Sequence, residues 1–299
     1  MNLTVGELSV PVIRAFAGEK ECKGMRRGRA LRRFDKELAK GNYKAAHSLL
    51  KQLQYKTGGL LGFGSAKLVP KRLPAMNRQE LCMVDESLVD SVLCSIKYSI
   101  EFALSDEEVL LTGMEDDLGS ESDDSPYEDH QMCLQHEAGH FLVGYLVGVL
   151  PRSYQVPSVE DITQDKFAQG NVQFLGFEFL KEVDMSTISS KSFTQGKENR
   201  AKISSQTLNR FLCVILGGLA AEHLIFGYSE LLHSDVQKLD RVLSWLCLNE
   251  NEGNSLVRRA VLTTLSLLSH HHEARSRLAE AMASRRSIGY CIDMIESTL

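Results

Sequence analysis

A chain of 299 residues, 43% hydrophobic and 24% charged, has enough material for one large or two modest domains with a buried core. Its net charge of −5 at pH 7 argues against a general nucleic-acid binder. The seven cysteines are scattered without a C-x-x-C pair, which favours free thiols in a reducing compartment over a disulfide framework.

Residues 1–33 carry a basic cluster that includes Arg26, Arg27, Arg29, Arg32 and Arg33. Glu7, Glu19 and Glu21 do not suit an acid-poor transit peptide, so the stretch reads as a solvated, partly disordered arm. Phe34–Leu53 reads as two short helices broken at Gly41-Asn42. The second places Ala46, Leu49, Leu50 and Leu53 on one face. The pair has the look of one tetratricopeptide unit, but no second copy follows, so a repeat array is not expected. Gly58–Lys67 is glycine-rich without the Gly-Lys-Ser/Thr of a phosphate-binding loop, and reads as a flexible connection. Arg78–Leu104 carries Leu81, Val84, Leu88, Val92, Ile96 and Ile100 at helical spacing. Residues 34–105 therefore make a helical N-terminal region. Residues 106–129 hold many carboxylates and no Lys or Arg; such a run repels itself and reads as an acidic linker. It divides the N-terminal region from a domain over 130–299.

That domain opens on Gln135–Leu150, an apolar helix stopped by Pro151 and containing His136-Glu137-Ala138-Gly139-His140. Residues four apart share one helix face, so both imidazoles can reach one ion with Glu137 beside it. Two histidines and a glutamate in an otherwise apolar helix are costly without partners. A metal ion is the first reading, and a pair of hydrogen-bonded core histidines is the bland one. A catalytic zinc site takes three protein ligands and one water, whose pKa the metal lowers to roughly 7 within reach of the carboxylate. Cys133 is a remote candidate ligand, more simply read as a buried thiol. Downstream, the aromatic and β-branched run from Asn171 to Phe179 favours a strand, to whose edge an extended peptide can add. Asp184–Ala201 reads as a loop, and Ile203–Phe226 as a second strong helix. In that helix Gly217-Gly218-Leu219-Ala220-Ala221-Glu222 permits close approach to the motif helix, and Gly227 stops it. Ser255–Thr298 is helical; His270, His271 and His272 within it point in different directions and cannot share one metal. The third metal ligand is sought among Asp235, Glu222, His223 and His233, Asp235 being well placed at the start of a helix.

HEAGHFLVGY over 136–145, LGGLAAEHLIFG over 216–227 and SDVQKL over 234–239 stand in one order. In this they resemble the peptidase domain of the FtsH family of zinc metalloproteases, which carries HEAGH, GGRAAEELIFG and SNDLQQAT. The resemblance covers about half the chain. It implies a mainly α fold, a helical zinc-peptidase domain with a small strand element preceded by a helical N-terminal region. It implies Zn2+ held by His136, His140 and Asp235, with Glu137 as general base and Glu222 structural. Leu219 replaces the family's arginine, His223 its second glutamate, and the connection over 151–200 is longer. The AAA ATPase domain and membrane anchors of FtsH proteins have no counterpart here: no stretch reaches about 20 apolar residues and no secretory leader is visible.

The expectation is a zinc metalloendopeptidase that cleaves protein or peptide substrates without its own ATPase. Two alternatives stand beside it: a catalytically silent FtsH-like scaffold or assembly factor, and an adaptor for an ATP-dependent protease. The resemblance to stand-alone FtsH-like proteins of plants implies a chloroplast location, with the cytoplasm as alternative. It also implies self-association or an FtsH-like partner, and no nucleic acid.

Overall fold

The computed structural model of the chain describes residues 11–66, 84–112, 126–165, 168–188 and 203–299. It is mainly helical with one two-stranded sheet, as the sequence leads one to expect. The helices preceding the sheet are α1 (Pro11–Ala39), α2 (Tyr43–Gln54), α3 (Glu86–Thr112) and α4 (Pro126–Leu146). Strand β1 (Leu150–Gln155), the short α5 (Val159–Gln164) and strand β2 (Asn171–Leu175) follow, and then α6 (Leu180–Ile188). The remainder is α7 (Ser205–Ile215), α8 (Gly217–Phe226), α9 (His233–Trp245), α10 (Glu250–His270), α11 (His272–Ala283) and α12 (Ile288–Thr298).

The molecule is built round α4. From Met132 to Leu146 every residue of this helix but Gln135 is buried. Its closest neighbour is α8, and small residues are the reason. A Cβ on Gly217 would stand only 2.9 Å from the Gly139 carbonyl oxygen, so the two backbones touch where glycine faces glycine. α4 ends at Leu146, four residues before the expected end. Gly148 adopts a left-handed φ of 80° and its N–H donates to Tyr145 O at 3.1 Å, a glycine stop. Pro151 then lies inside β1, which pairs antiparallel with β2 through an irregularity between Pro151 and Ser153.

The glycine-rich loop before residue 67 is a structural part, not a loose connection. Gly64 N–H donates to Tyr145 O at 3.1 Å, a second donor beside Gly148 N–H, and Ala66 N–H donates to Leu146 O at 3.0 Å, so the loop closes on the last carbonyls of α4. The loop is in turn held by Glu296 of α12. This buried carboxylate accepts from Leu61 N and Gly62 N at 2.7 Å each and from the Tyr145 hydroxyl at 2.6 Å. Glu296→Ala would strand two buried donors, Gly62 N and the Tyr145 hydroxyl, and the partly exposed Leu61 N. The expected cost is about 3 kcal/mol, roughly 1 kcal/mol per donor and more where the lost acceptor is charged. Urea unfolding of the full chain reads it; an unchanged midpoint would mean that water replaces the carboxylate.

The basic arm expected over 1–33 is helical from Pro11 and continues without a break to Ala39. Leu31 and Phe34 are buried, Arg27 Nε pairs with Asp293 at 2.5 Å, and Asp35 accepts from Gly289 N and Ser287 Oγ at 2.7 Å each, at the start of α12. The break at Gly41 and helix α2 are where the sequence puts them. α3 runs along α8, α9 and α10, so buried residues from Leu31 to Ile295 form one core cluster. The boundary expected near residue 105 therefore does not separate two cores. Of the acidic stretch 106–129, residues 106–112 belong to α3 and 126–129 to the first turn of α4, where Glu128 and Asp129 suit the positive helix end. Residues 78–83, 113–125 and 189–202, on which parts of the expected helix, linker and loop fall, lie outside the described residues.

The expected helix over 203–226 is two, α7 and α8, meeting at Leu216. Two glycines, weak helix formers, stand at the joint. By length and composition Ser205–Phe226 is apolar enough to cross a membrane; 72% of its most apolar window is buried inside this fold.

Candidate metal centre

His136 and His140 project from one face of α4, one turn apart, with ring centroids 4.6 Å apart. Each ring is fixed through its Nδ1. His140 Nδ1 lies 2.7 Å from Val214 O of α7, and a carbonyl only accepts, so Nδ1 carries the proton. His136 Nδ1 donates to Glu222 Oε1 of α8. Both Nε2 lone pairs therefore turn inward, where the two atoms approach to 2.9 Å. Asp235 enters from the first turn of α9, where the helix N-terminus favours a carboxylate. Its Oδ2 is 2.8 Å from His140 Nε2 and 3.2 Å from His136 Nε2, yet it takes no hydrogen bond from any described residue.

Three buried donors thus meet with their lone pairs together. Without a cation they repel; with one, each becomes a ligand. This donor set, two neutral imidazole nitrogens and one carboxylate oxygen, can hold a divalent metal ion. On the protein charges alone, burial disfavours the His136 cation, but the adjacent carboxylates of Asp235 and Glu222 prevail and hold its pKa up at about 10. Burial likewise opposes ionisation of Asp235, and the two imidazoles outweigh it, keeping the carboxyl well below the usual range.

Glu137 sits beside the triad, 4% exposed, with Oε2 buried and unpartnered among the described residues. Burial raises its pKa, while His136 and His140 pull it back. The backbone of Gly170 lies flat against it: a Cβ there would stand 2.5 Å from Glu137 Cγ. A cleft of about 520 Å³ opens over the four residues. One wall is the segment from Gln169 to Phe174, which contains β2, and among the described residues β2 pairs with β1 alone. An apolar end is formed by Phe174, Phe177 and Phe211, the last two with ring centroids 5.5 Å apart.

The sequence candidates separate cleanly. His136, His140 and Asp235 converge, and Glu137 stands next to them. His223 turns away, with Nδ1 donating to Leu219 O at 3.0 Å and Nε2 3.1 Å from Ser95 Oγ. His233 meets Gln237 at 2.7 Å instead. Cys133 is outside the cluster; burial pushes its thiol up to about 12, an inert core sulfhydryl. Glu222 is neither a ligand nor bound to an arginine. One oxygen orients His136, and the other accepts from Glu230 N at 2.8 Å and Leu231 N at 3.3 Å. The Val214 carbonyl and Gly170 were not legible as site residues, because a backbone acceptor leaves no trace in side-chain identity. The glycine before Asn171 was the one available hint.

Compared with models of known protein families, with curated proteins and with solved structures, the chain has no match.

Outer partners of metal-binding histidines set ring orientation, and losing one typically costs about 10–100-fold in metal affinity. Glu222→Ala should therefore weaken the binding of an added divalent metal such as zinc by that factor while leaving one site per chain at saturating metal. Competition with a chelating dye measures it, and an unchanged affinity would reduce Glu222 to a loop anchor.

Proposed function

We propose that this protein is a zinc-dependent metalloendopeptidase, FtsH-like in its site, hydrolysing peptide bonds of protein substrates without an ATPase of its own. One observation carries the reading: a buried carboxylate, Glu137, with one oxygen unpartnered among the described residues, stands beside three convergent buried donors at the floor of an open cleft. A site made only to hold a structural metal has no use for either the free carboxylate or the opening.

The chain's own groups divide the work. His136, His140 and Asp235 would hold zinc, which when bound polarises the scissile carbonyl and acidifies water. Glu137 takes the proton from the attacking water and returns it to the leaving amine. β2 offers backbone groups on which an extended substrate can lie as an added strand. The phenylalanines at the apolar end accept a large hydrophobic side chain next to the cleaved bond and exclude water around it.

The test is hydrolysis of an unfolded protein such as casein, with zinc and without ATP, by the wild type and by Glu137→Gln. Cleavage by the wild type alone supports the reading. No cleavage by a zinc-loaded wild type would transfer it to the silent scaffold or assembly factor. The adaptor alternative places partner binding on the N-terminal helices, whose buried residues, Leu31, Phe34, Leu50 and Val92 among them, belong to the common core.

A further inference from the structure

The two oxygens of Asp235 face different partners. Oδ2 is turned to the imidazoles, and Oδ1 is 3.3 Å from Lys238 Nζ. Lys238 stands three residues on along α9, so the helix itself brings the ammonium over the carboxylate. The side chain lines the cleft over the triad and is 44% exposed. The pair joins a buried carboxylate to a half-exposed ammonium. Its consequence lies at the donor set.

We infer that Lys238 is a positioning residue of the metal centre: by holding Oδ1 it makes Asp235 a one-oxygen ligand. This rests on the metallopeptidase reading and adds a residue to it. A carboxylate with both oxygens free can close on a cation with both. In this site that would occupy the position that a catalytic metal keeps open for water. A short helical ion pair prevents it, and it does so locally, because Asp235 and Lys238 share one helix face. In the FtsH-like segment the corresponding residue of the family pattern is glutamine, which is uncharged; the lysine belongs to this chain.

The experiment is done on the full chain stripped of metal and reloaded with cobalt(II), whose visible absorption is strong in four-coordinate sites and weak in five-coordinate ones. Lys238→Met keeps the side-chain length and removes the charge, and Lys238→Gln serves as a second uncharged variant. Both are expected to lower the absorption per bound cobalt severalfold and to weaken zinc about tenfold, the lower end for an outer partner. Lys238→Arg, which restores a cation and two donors, is expected to return both to wild-type values. Spectra and zinc affinities of Lys238→Met and Lys238→Gln that superimpose on the wild type would overturn the role of Lys238 and leave the metal centre standing. A lowered melting temperature with an unchanged spectrum would do the same, marking a merely structural pair. A wild-type chain that takes up neither cobalt nor zinc would overturn the metal reading, and this inference with it.

Discussion

Glu137→Gln should keep one zinc per chain and lose casein hydrolysis by about 10²–10⁴-fold, the usual contribution of a positioned general base. Glutamine has the shape of glutamate and fills the same space against Gly170. The three donors are untouched, since Glu137 contacts none of the hydrogen bonds that orient them: those run to Val214 O and Glu222. What is removed is the proton acceptor. An amide nitrogen has its lone pair delocalised into the carbonyl and does not receive a proton, and the amide oxygen is a far weaker base than a carboxylate. The buried setting sharpens the contrast. With Oε2 unpartnered and the side chain 4% exposed, bulk water cannot easily take over the transfer. Zinc content and hydrolysis therefore part company in this variant. Equal hydrolysis by wild type and Glu137→Gln would place the base elsewhere or expose a contaminating protease.

The sequence made the site more legible than the fold around it. His136 and His140 reveal themselves because an i, i+4 pair on an apolar helix demands partners. Asp235 was one of four candidates, preferred for its place at a helix start, and the fold brings it to the imidazoles while leaving His223 and His233 outside. The close contact of α4 and α8 was readable from Gly217 and Gly218, since small residues in a helix have few other uses. The glycine-rich loop shows why the rest was not. Its glycines allow left-handed turns at Gly58 and Gly64, which looks like flexibility in one dimension. What fixes them is a carboxylate 234 residues further on, Glu296, and the free carbonyls ending α4. Neither partner has a local signature. The same holds for the N-terminal helices: α1 shows a basic face, and only the meeting with α12 reveals that Leu31 and Phe34 are core residues. The part of α6 from Asp184 on was read as loop because its short polar sequence has no clear helical period, and the helix takes its place from packing on α9.

His140→Ala and Asp235→Ala should each abolish stoichiometric zinc, and the contrast with Glu222→Ala identifies the third ligand. Zinc bound by protein side chains is worth about 10–16 kcal/mol in four-ligand sites, or roughly 3–4 kcal/mol for each ligand. Losing one thus weakens binding by about 10²–10³-fold, enough to strip the metal during ordinary dialysis. The two alanine variants arrive there by different routes. His140→Ala removes a nitrogen and also frees Val214 O, whereas Asp235→Ala removes the only carboxylate oxygen that faces both Nε2 atoms and spares their Nδ1 anchors. Glu222→Ala, by comparison, leaves all three donors in place and loosens one ring. The measurement is metal content per chain after dialysis against micromolar chelator, with circular dichroism to show that the helices persist. The order expected is zinc retained in the wild type, partly retained in Glu222→Ala, and absent in His140→Ala and Asp235→Ala. Zinc kept by Asp235→Ala but lost by Glu222→Ala would move the third ligand to Glu222 and require α8 to rotate its carboxylate past the His136 ring. Full retention in His140→Ala would remove the metal centre altogether and return the two histidines to the role of hydrogen-bonded core residues.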